Sequence, residues 1–333
     1  MKILVTGASG FLGGALTQAL LRDGEDVRVL ARASSRLTHL EGLPVEIVTG
    51  TLADKESLRP AVAGVHTLYH CAGLSADWGA WDAFYQANVA GTRALLDVAE
   101  AAGVQRFLHV STSDVYGYPP EACDETHPIT DVGLPYNRSK GLGEQAVWDW
   151  HARTGLPVTV VRPASIYGPR SKDFVAEIAA LLYRRQMVLL DGGRVHAGLL
   201  YIDNAVAAMR AAATSPRTVG QAYNLRDPID ITWRDYIAAL AAGLQRPFPW
   251  IRLPGGVALA LARGMETLHR RLRLPGRPLL TRHAVYIMIR SQGYAIDKAQ
   301  RDFGLTAPVS FEEGMARTLA WLDTEEGRRM APR

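Results

Sequence analysis

Apolar positions along the first half of the chain fall into two alternating rhythms. Short apolar, β-rich runs at Lys2 to Thr6, Asp26 to Leu30, Val45 to Val48, Thr67 to Cys71, Phe107 to Ser111 and Pro157 to Arg162 predict strands, while Phe11 to Arg22, Ala83 to Ala102 and Asn137 to Thr154 predict helices. Near-continuous apolar strands separated by helices imply a parallel sheet covered on both faces. The expected fold is therefore α/β, a doubly wound parallel Rossmann-type sheet over residues 1–169. Beyond Pro169 the pattern changes to longer helical stretches broken by Gly and Pro. One short strand signal lies at Ala222 to Leu225, and helices start near Trp233, Gly256 and Phe311. Residues 170–333 are expected to form a smaller, mostly helical C-terminal substrate lobe, with segments returning to the core.

Composition adds exclusions. At 333 residues, 48% hydrophobic and 21% charged, the chain is neither disordered nor fibrous. The formal charge of +4 is too weak to indicate nucleic-acid binding, although Arg263, Arg270, Arg271, Arg273 and Arg277 cluster in the last third. Two cysteines, Cys71 and Cys123, without CxxC or Cys/His spacing, suggest neither a disulfide framework nor a metal site, and a reducing, cytoplasmic setting is expected. The first residues read as a strand rather than a signal peptide, and no uncharged apolar run reaches the ~18 residues of a membrane span. Val257, Leu261, Met265, Leu268 and Leu272 form a helical apolar stripe. An ordinary amphipathic helix docked on the sheet lobe is the expected reading, with a lid over the site or a membrane-surface helix as alternatives.

The first candidate for chemistry is the turn Gly7-Ala8-Ser9-Gly10-Phe11-Leu12-Gly13, between the first strand and the first helix. Glycines there permit a tight turn, close approach of a pyrophosphate and close helix–strand packing, while the helix N-terminus offers free N–H groups to phosphate. At the end of the second strand no acid is present to accept from a ribose 2′-OH. Arg32, Ser35 and Arg36 stand there instead, which points to NADP, with NAD as the alternative.

A second constellation is Tyr136 and Lys140, four residues apart and so on one helix face. A lysine ammonium there, beside a nicotinamide cation, is expected to lower the phenol pKa so that Tyr136 exchanges a proton with a substrate oxygen. Hydroxyls to hold that oxygen are supplied by Ser111 to Ser113 at the end of the fifth strand. Trp78 and Trp81, after the fourth strand, are candidates for a substrate wall, with simple core packing an equal alternative.

Together these motifs resemble the extended short-chain dehydrogenase/reductase superfamily, the NAD-dependent epimerase/dehydratase family, over nearly the whole chain. The marks are Thr6 to Gly13, Tyr69 to Gly73, Asn88 with Gly91-Thr92, Ser111 to Gly117, Tyr136 to Lys140, Arg162-Pro163, Tyr167 to Pro169 and Tyr201 to Asn204. The resemblance implies a catalytic set of Thr112, Tyr136 and Lys140, with Lys140 also on the nicotinamide ribose and Asn88 supporting the site. Dinucleotide contacts are expected at Gly7, Ser9, Gly10, Phe11, Leu12, Gly13, Arg32, Ser35, Arg36, Thr51, Leu52, Cys71, Ala72, Gly73, Asn88, Tyr136, Lys140 and Pro163. Thr51 departs from the pattern, which usually has Asp there for adenine. A homodimer through helices Ala83–Ala102 and Asn137–Thr154 is also implied.

For substrate, nucleotide-sugar members carry an arginine before the Tyr-x-Asp motif, where this chain has Arg194-Val195-His196-Ala197-Gly198-Leu199-Leu200; the expected position is apolar or His196, with Arg194 as an alternative donor. Segments around Leu280 to Arg282, Tyr294 to Asp297 and Asp302 to Gly304 resemble instead the 3β-hydroxysteroid dehydrogenase-like branch. The expected reaction is hydride transfer between nicotinamide and a hydrophobic secondary alcohol or ketone, with Trp78, Trp81, Ser113, Asp114 and His196 as substrate contacts. A nucleotide-sugar epimerase or dehydratase with tightly bound NAD, using Asp114 as an acid, is the alternative. A catalytically idle dinucleotide sensor is the third.

Overall fold

A computed structural model describes residues 1–332. In chain order the elements are β1 (Lys2–Thr6), α1 (Phe11–Arg22), β2 (Asp26–Ala31), β3 (Glu46–Thr49), α2 (Lys55–Val62), β4 (Thr67–His70), α3 (Trp81–Tyr85), α4 (Gly91–Ala101), β5 (Arg106–Val110), α5 (Pro135–Thr154), β6 (Val158–Pro163) and β7 (Ser165–Tyr167). There follow α6 (Glu177–Tyr183), β8 (Leu189–Leu190), β9 (Leu199–Tyr201), α7 (Ile202–Thr214), β10 (Gln221–Leu225), α8 (Trp233–Gly243), β11 (Arg252–Leu253), α9 (Gly255–Leu272), α10 (Arg282–Ile289), α11 (Asp297–Phe303), α12 (Phe311–Leu322) and α13 (Glu325–Met330).

Seven strands form one parallel sheet in the order β10-β6-β5-β4-β1-β2-β3. The chain reverses direction across the sheet between β1 and β4, and this is where an open α/β sheet leaves a crevice at its carboxyl edge. On one face, Leu16 and Leu20 of α1 and Ala205 and Met209 of α7 pack with Val5, Val29 and Tyr223. On the other, Leu58, Leu95, Leu96 and Val147 from α2, α4 and α5 pack with Leu4, Leu68, Phe107 and Val160. The doubly wound sheet and the largely helical C-terminal region of the sequence reading are thus both present. β10 and α7 come from beyond residue 169 yet complete the sheet and its cover. The lobe core gathers Ile178, Leu182, Trp233, Ile237, Leu240, Met315 and Leu322. No helix among the described residues is long and apolar enough to cross a membrane.

Two details differ from the sequence reading. The expected helix over Ala83–Ala102 begins at Trp81 and contains a π-turn at Gln86–Ala90. Such an insertion re-aims side chains and here carries Asn88. The apolar stripe on α9, read as docked, instead faces outward: Val257, Leu261, Leu268 and Leu272 are 48%, 46%, 52% and 60% exposed. Ala258, Ala262 and Glu266 occupy the buried face. Apolar spacing announces an amphipathic helix, but here the apolar arc is wider than the surface that covers it.

α5 crosses the π-turn at very close range. A Cβ on Gly143 would sit 2.3 Å from the carbonyl oxygen of Asn88, whereas one on Gly264 of α9 would meet nothing within 4 Å. Gly143→Ala should therefore destabilise the protein by about 1–3 kcal/mol, and Gly264→Ala should leave it unchanged or stabilise it by up to ~1 kcal/mol. Urea unfolding of the two variants checks both directions.

Candidate active site

The glycine turn is built as a cradle. Gly7 has φ +78°, and a Cβ there would lie 2.7 Å from the Ala72 nitrogen; one on Gly13 would lie 2.4 Å from the Gly7 carbonyl. Side chains are thereby excluded at Gly7 and Gly13, which lets β1, the start of α1 and the end of β4 converge. Gly10 caps α1 without a side-chain hydrogen bond, so the first N–H groups of the helix are left to an anion. This backbone cradle fits a dinucleotide pyrophosphate.

Arg32, Ser35 and Arg36 follow β2 in a turn closed by Ser35 N donating to Arg32 O at 2.8 Å and Arg32 N donating to Ser35 Oγ at 3.1 Å. Both guanidinium groups are exposed and have no ion pair among the described residues. Thr51 and Leu52 follow β3, with Thr51 N donating to Ser57 Oγ and Leu52 packed where Gly91 lacks a side chain. Pro163 ends β6 at the same carboxyl edge.

Behind the cradle runs a chain of buried hydrogen bonds. Thr92 donates to Asn88 O at 2.8 Å, His70 Nε2 lies 3.0 Å from Thr92 Oγ1, and His70 Nδ1 lies 2.8 Å from Thr6 Oγ1. With the Thr92 proton committed, His70 donates from Nε2 and accepts at Nδ1, a neutral ring. Burial agrees, lowering the His70 pKa to about 3 and pushing the Cys71 thiol up to about 12. His70 and Cys71 are thus uncharged groups packed behind the cradle.

Asn88 is a staple. Its side chain accepts from Leu74 N at 2.7 Å and donates to Leu74 O at 3.1 Å and Ser139 Oγ at 2.9 Å. The loop after β4, starting at Ala72 and Gly73, is thus tied to α5. That tie brings Ser75, which the sequence reading missed, to the Tyr136 hydroxyl.

Tyr136 is held by the hydroxyls of Ser75 and Thr112. Thr112 Oγ1 accepts from Asp114 N at 3.2 Å, which leaves its own proton for the phenol oxygen. Lys140, one helical turn on, is buried, with Nζ donating to Val110 O at 2.6 Å. Burial lowers its pKa to about 8, opposed by Glu144 and Cys71. The expected depression of the phenol pKa rested on a nicotinamide cation as well as on Lys140, and the protein's own groups act in the opposite direction. Burial raises it, the neighbouring Asp114 carboxylate raises it further, and the hydrogen bonds from Ser75 and Thr112 only partly oppose them. Tyr136 is therefore a protonated acid at neutral pH, with Lys140 aimed at the β5 carbonyl.

Ser113 and Asp114 follow Thr112, both buried. Asp114 meets His283 of α10, Oδ2 to Nε2 3.6 Å, and Tyr118 lies 3.2 Å from His283 Nδ1. The His283 ring stands 5.5 Å from that of Tyr136. No local pattern marks His283, since it arrives from the far end of the chain. Burial raises the Asp114 pKa, with His283 opposing. Trp78 packs edge-on against His269 and under Arg270 of α9, and Trp81 lies under Arg138 of α5. His196 is elsewhere: Nε2 bonds to Ile229 O and Nδ1 accepts from Gly198 N, both at 2.9 Å, so neither nitrogen is left for a ligand.

A parallel sheet with a glycine cradle at its crevice and a hydroxyl-held tyrosine one turn before a buried lysine defines a dinucleotide-dependent enzyme. The NAD dependent epimerase/dehydratase family model matches residues 3–225, and the chain belongs to that family, within the extended short-chain dehydrogenase/reductase superfamily. It is 32% identical to a 2-alkyl-3-oxoalkanoate reductase of Stenotrophomonas maltophilia, covering 96% of this chain and 99% of that one. It is 28% identical to a 3 beta-hydroxysteroid dehydrogenase/Delta 5-->4-isomerase of Mycobacterium tuberculosis, covering 96% and 90%. The fold matches UDP-glucose 4-epimerase of Thermotoga maritima, solved with UDP-glucose, at a TM-score of 0.78 and 21% identity over 97% and 98% of the chains. The protein is an NAD(P)-binding enzyme of the oxidoreductase and epimerase/dehydratase class, acting on a small organic substrate.

α5 is locked to the sheet by Glu144 and Arg162, both buried, with Arg162 Nη2 2.5 Å from Glu144 Oε1 and Nη1 donating to Tyr116 OH at 2.7 Å. Glu144→Gln strands the guanidinium and should cost about 3–5 kcal/mol, while Glu144→Leu with Arg162→Met should recover most of it. Chemical denaturation of the single and double variants checks this; equal losses in both would show that the ion pair itself supplies the stability.

Proposed function

We propose that this enzyme is an NADP(H)-dependent reductase of hydrophobic ketones, of the β-keto or 3β-hydroxysteroid-like kind, with Thr112, Tyr136 and Lys140 as its catalytic residues. The observation that carries the reading is the Tyr136 phenol, gripped by the hydroxyls of Ser75 after β4 and Thr112 after β5 and set one helical turn before the buried Lys140. When bound, the dinucleotide supplies hydride chemistry. Tyr136 donates its proton to the carbonyl oxygen, Thr112 holds that oxygen, and the Lys140 ammonium stabilises the phenolate left behind. The names of the sequence relatives, a reductase and a steroid dehydrogenase, favour this class. So does β9, whose Leu199 and Leu200 are fully buried and apolar where nucleotide-sugar enzymes place a phosphate-binding arginine, while Arg194 is exposed.

The second reading is redox-neutral epimerisation or dehydration of a nucleotide sugar. It draws on the fold shared with solved enzymes of that chemistry and on Asp114, a buried carboxyl whose raised pKa suits an acid beside Tyr136. A turnover screen separates the two. Net consumption of NADPH with a long-chain β-keto acid or a 3-ketosteroid, lost at least a thousandfold in Tyr136→Phe, supports the reductase. Conversion of a UDP- or dTDP-sugar without net change of cofactor overturns it.

Two further outcomes follow. Arg32→Ala should weaken NADPH binding by roughly tenfold to a hundredfold, since a charge-assisted hydrogen bond is worth about 1.5–3 kcal/mol, and should leave NADH binding unaltered; fluorescence titration reads both. The cationic form of Lys140 is present below its pKa and lost above it. Ketone reduction should therefore hold at neutral pH and fall as pH rises through about 8, and any residual activity of Lys140→Arg should lack that limb, because guanidinium stays charged.

A further inference from the structure

The exposed stripe on α9 is flanked in sequence by other solvent-facing apolar groups, in the turns before and after the helix. Trp250 lies five residues before α9 and Leu279 seven after it, and each is 84% exposed. With Val257, Leu261, Leu268 and Leu272 they give the lobe an apolar surface along one helix and its flanks. That surface is also the most basic part of the molecule. Residues 252–296 hold eight arginines against a single carboxylate, Glu266, in a chain whose formal charge is only +4. Glu266 is 2% exposed and is occupied by Arg270, Arg282 and the Arg282 backbone N–H. Arg263, Arg271 and Arg273 have no ion pair among the described residues, and so their charge is uncompensated beside the apolar stripe.

An apolar helix face rimmed by free arginines, with an exposed tryptophan at one end, has the chemistry of a helix lying in a bilayer interface. Its apolar side chains would enter the acyl boundary while guanidinium groups meet lipid phosphates. A protein partner for such a face would need an apolar groove rimmed with acid; an anionic bilayer supplies both properties without a shaped groove.

We propose that α9 and its flanking turns dock this enzyme on anionic membrane surfaces. The same segment reaches the site, since Trp78 packs against His269 and Arg270, and α10, held to α9 through Glu266, carries His283. Docking would therefore set the lobe next to the bilayer with the catalytic hydroxyls beneath it. Only the delivery of a lipid-soluble ketone along this route rests on the reductase reading; the docking does not.

The test uses the full chain and sucrose-loaded vesicles without substrate, so its result is independent of what the enzyme turns over. Phosphatidylcholine vesicles are compared with vesicles of phosphatidylcholine and phosphatidylglycerol at low and physiological salt. Wild type should sediment with the anionic vesicles and bind the neutral ones about tenfold or more weakly. L261E/L268E should lose about tenfold or more of that partition with its thermal transition unchanged, and R271E/R273E should lose it with a weaker dependence on salt. Three results would overturn the proposal. One is the absence of binding to anionic vesicles at low salt. Another is binding that survives L261E/L268E, which would reduce the effect to surface charge. The third is a wild-type oligomer in light scattering that L261E/L268E dissociates, which would make a second copy the occupant; a dimer through α4 and α5 would be unaffected by those substitutions.

Discussion

The site depends on how closely α5 can approach the π-turn between α3 and α4. At Gly143 the helix passes over the Asn88 carbonyl with no room for a side chain. That contact leaves the Asn88 amide to reach both Ser139 on α5 and Leu74 in the loop after β4. One residue thereby fixes the distance between Tyr136 and the loop that carries Ser75. A larger separation would leave the phenol short of one of its two hydroxyls. The Glu144–Arg162 pair, one turn beyond Lys140, prevents the helix from sliding along the sheet. Such a pair adds little net stability against a well-packed apolar alternative, and its value here is positional. Its guanidinium also meets the Tyr116 hydroxyl, which donates to Asn224 of β10, so one charge ties together α5, β6, the end of the β5 loop and the edge strand.

Low local polarity then decides the protonation states. His70 and His109 are both held neutral by burial, and the Cys71 thiol is held protonated. Lys140 is surrounded by these uncharged groups, and burial moves its pKa the same way as those of the histidines. The phenol is pushed upward by the same cause and by Asp114. The result is a protonated phenol and a lysine of reduced basicity within one helical turn.

Features carried by adjacent residues were legible in the sequence. The glycine turn, the Tyr136–Lys140 spacing and the hydroxyls after β5 each sit within one strand–turn–helix unit, and the alternation of apolar runs was enough for the doubly wound sheet. Ser75 and His283 were not legible, because each reaches Tyr136 through a contact between distant segments: Ser75 through the Asn88 staple, His283 through the packing of α10. The protein's own bias on the phenol pKa was hidden for a related reason. Spacing places Lys140 near Tyr136 but does not show that one of its N–H groups goes to Val110 O, nor that Asp114 lies beside the ring. The apolar stripe on α9 shows a further limit, since periodicity identifies a face without saying what covers it.

α9 and α10 share a small apolar core of Ala258, Ala262 and Val285 and one buried carboxylate. Glu266 accepts from the Arg282 side chain and backbone and from Arg270, so the two helices share a buried charge that neither can abandon without stranding the other. α10 then passes its position to the site through Thr281 on Asp77, at 2.9 Å, and through His283 on Asp114. Arg277, in the turn between them, meets both Asp77 and Glu177 and ties the same loop to α6. The outer face of α9 is therefore linked to the loop carrying Trp78 and to the carboxylate beside Tyr136 by polar contacts as well as by apolar packing. The segment that presents the most exposed apolar surface of the molecule is thus also the one whose placement sets the far wall of the site, opposite the hydroxyls that α5 and the sheet hold fixed.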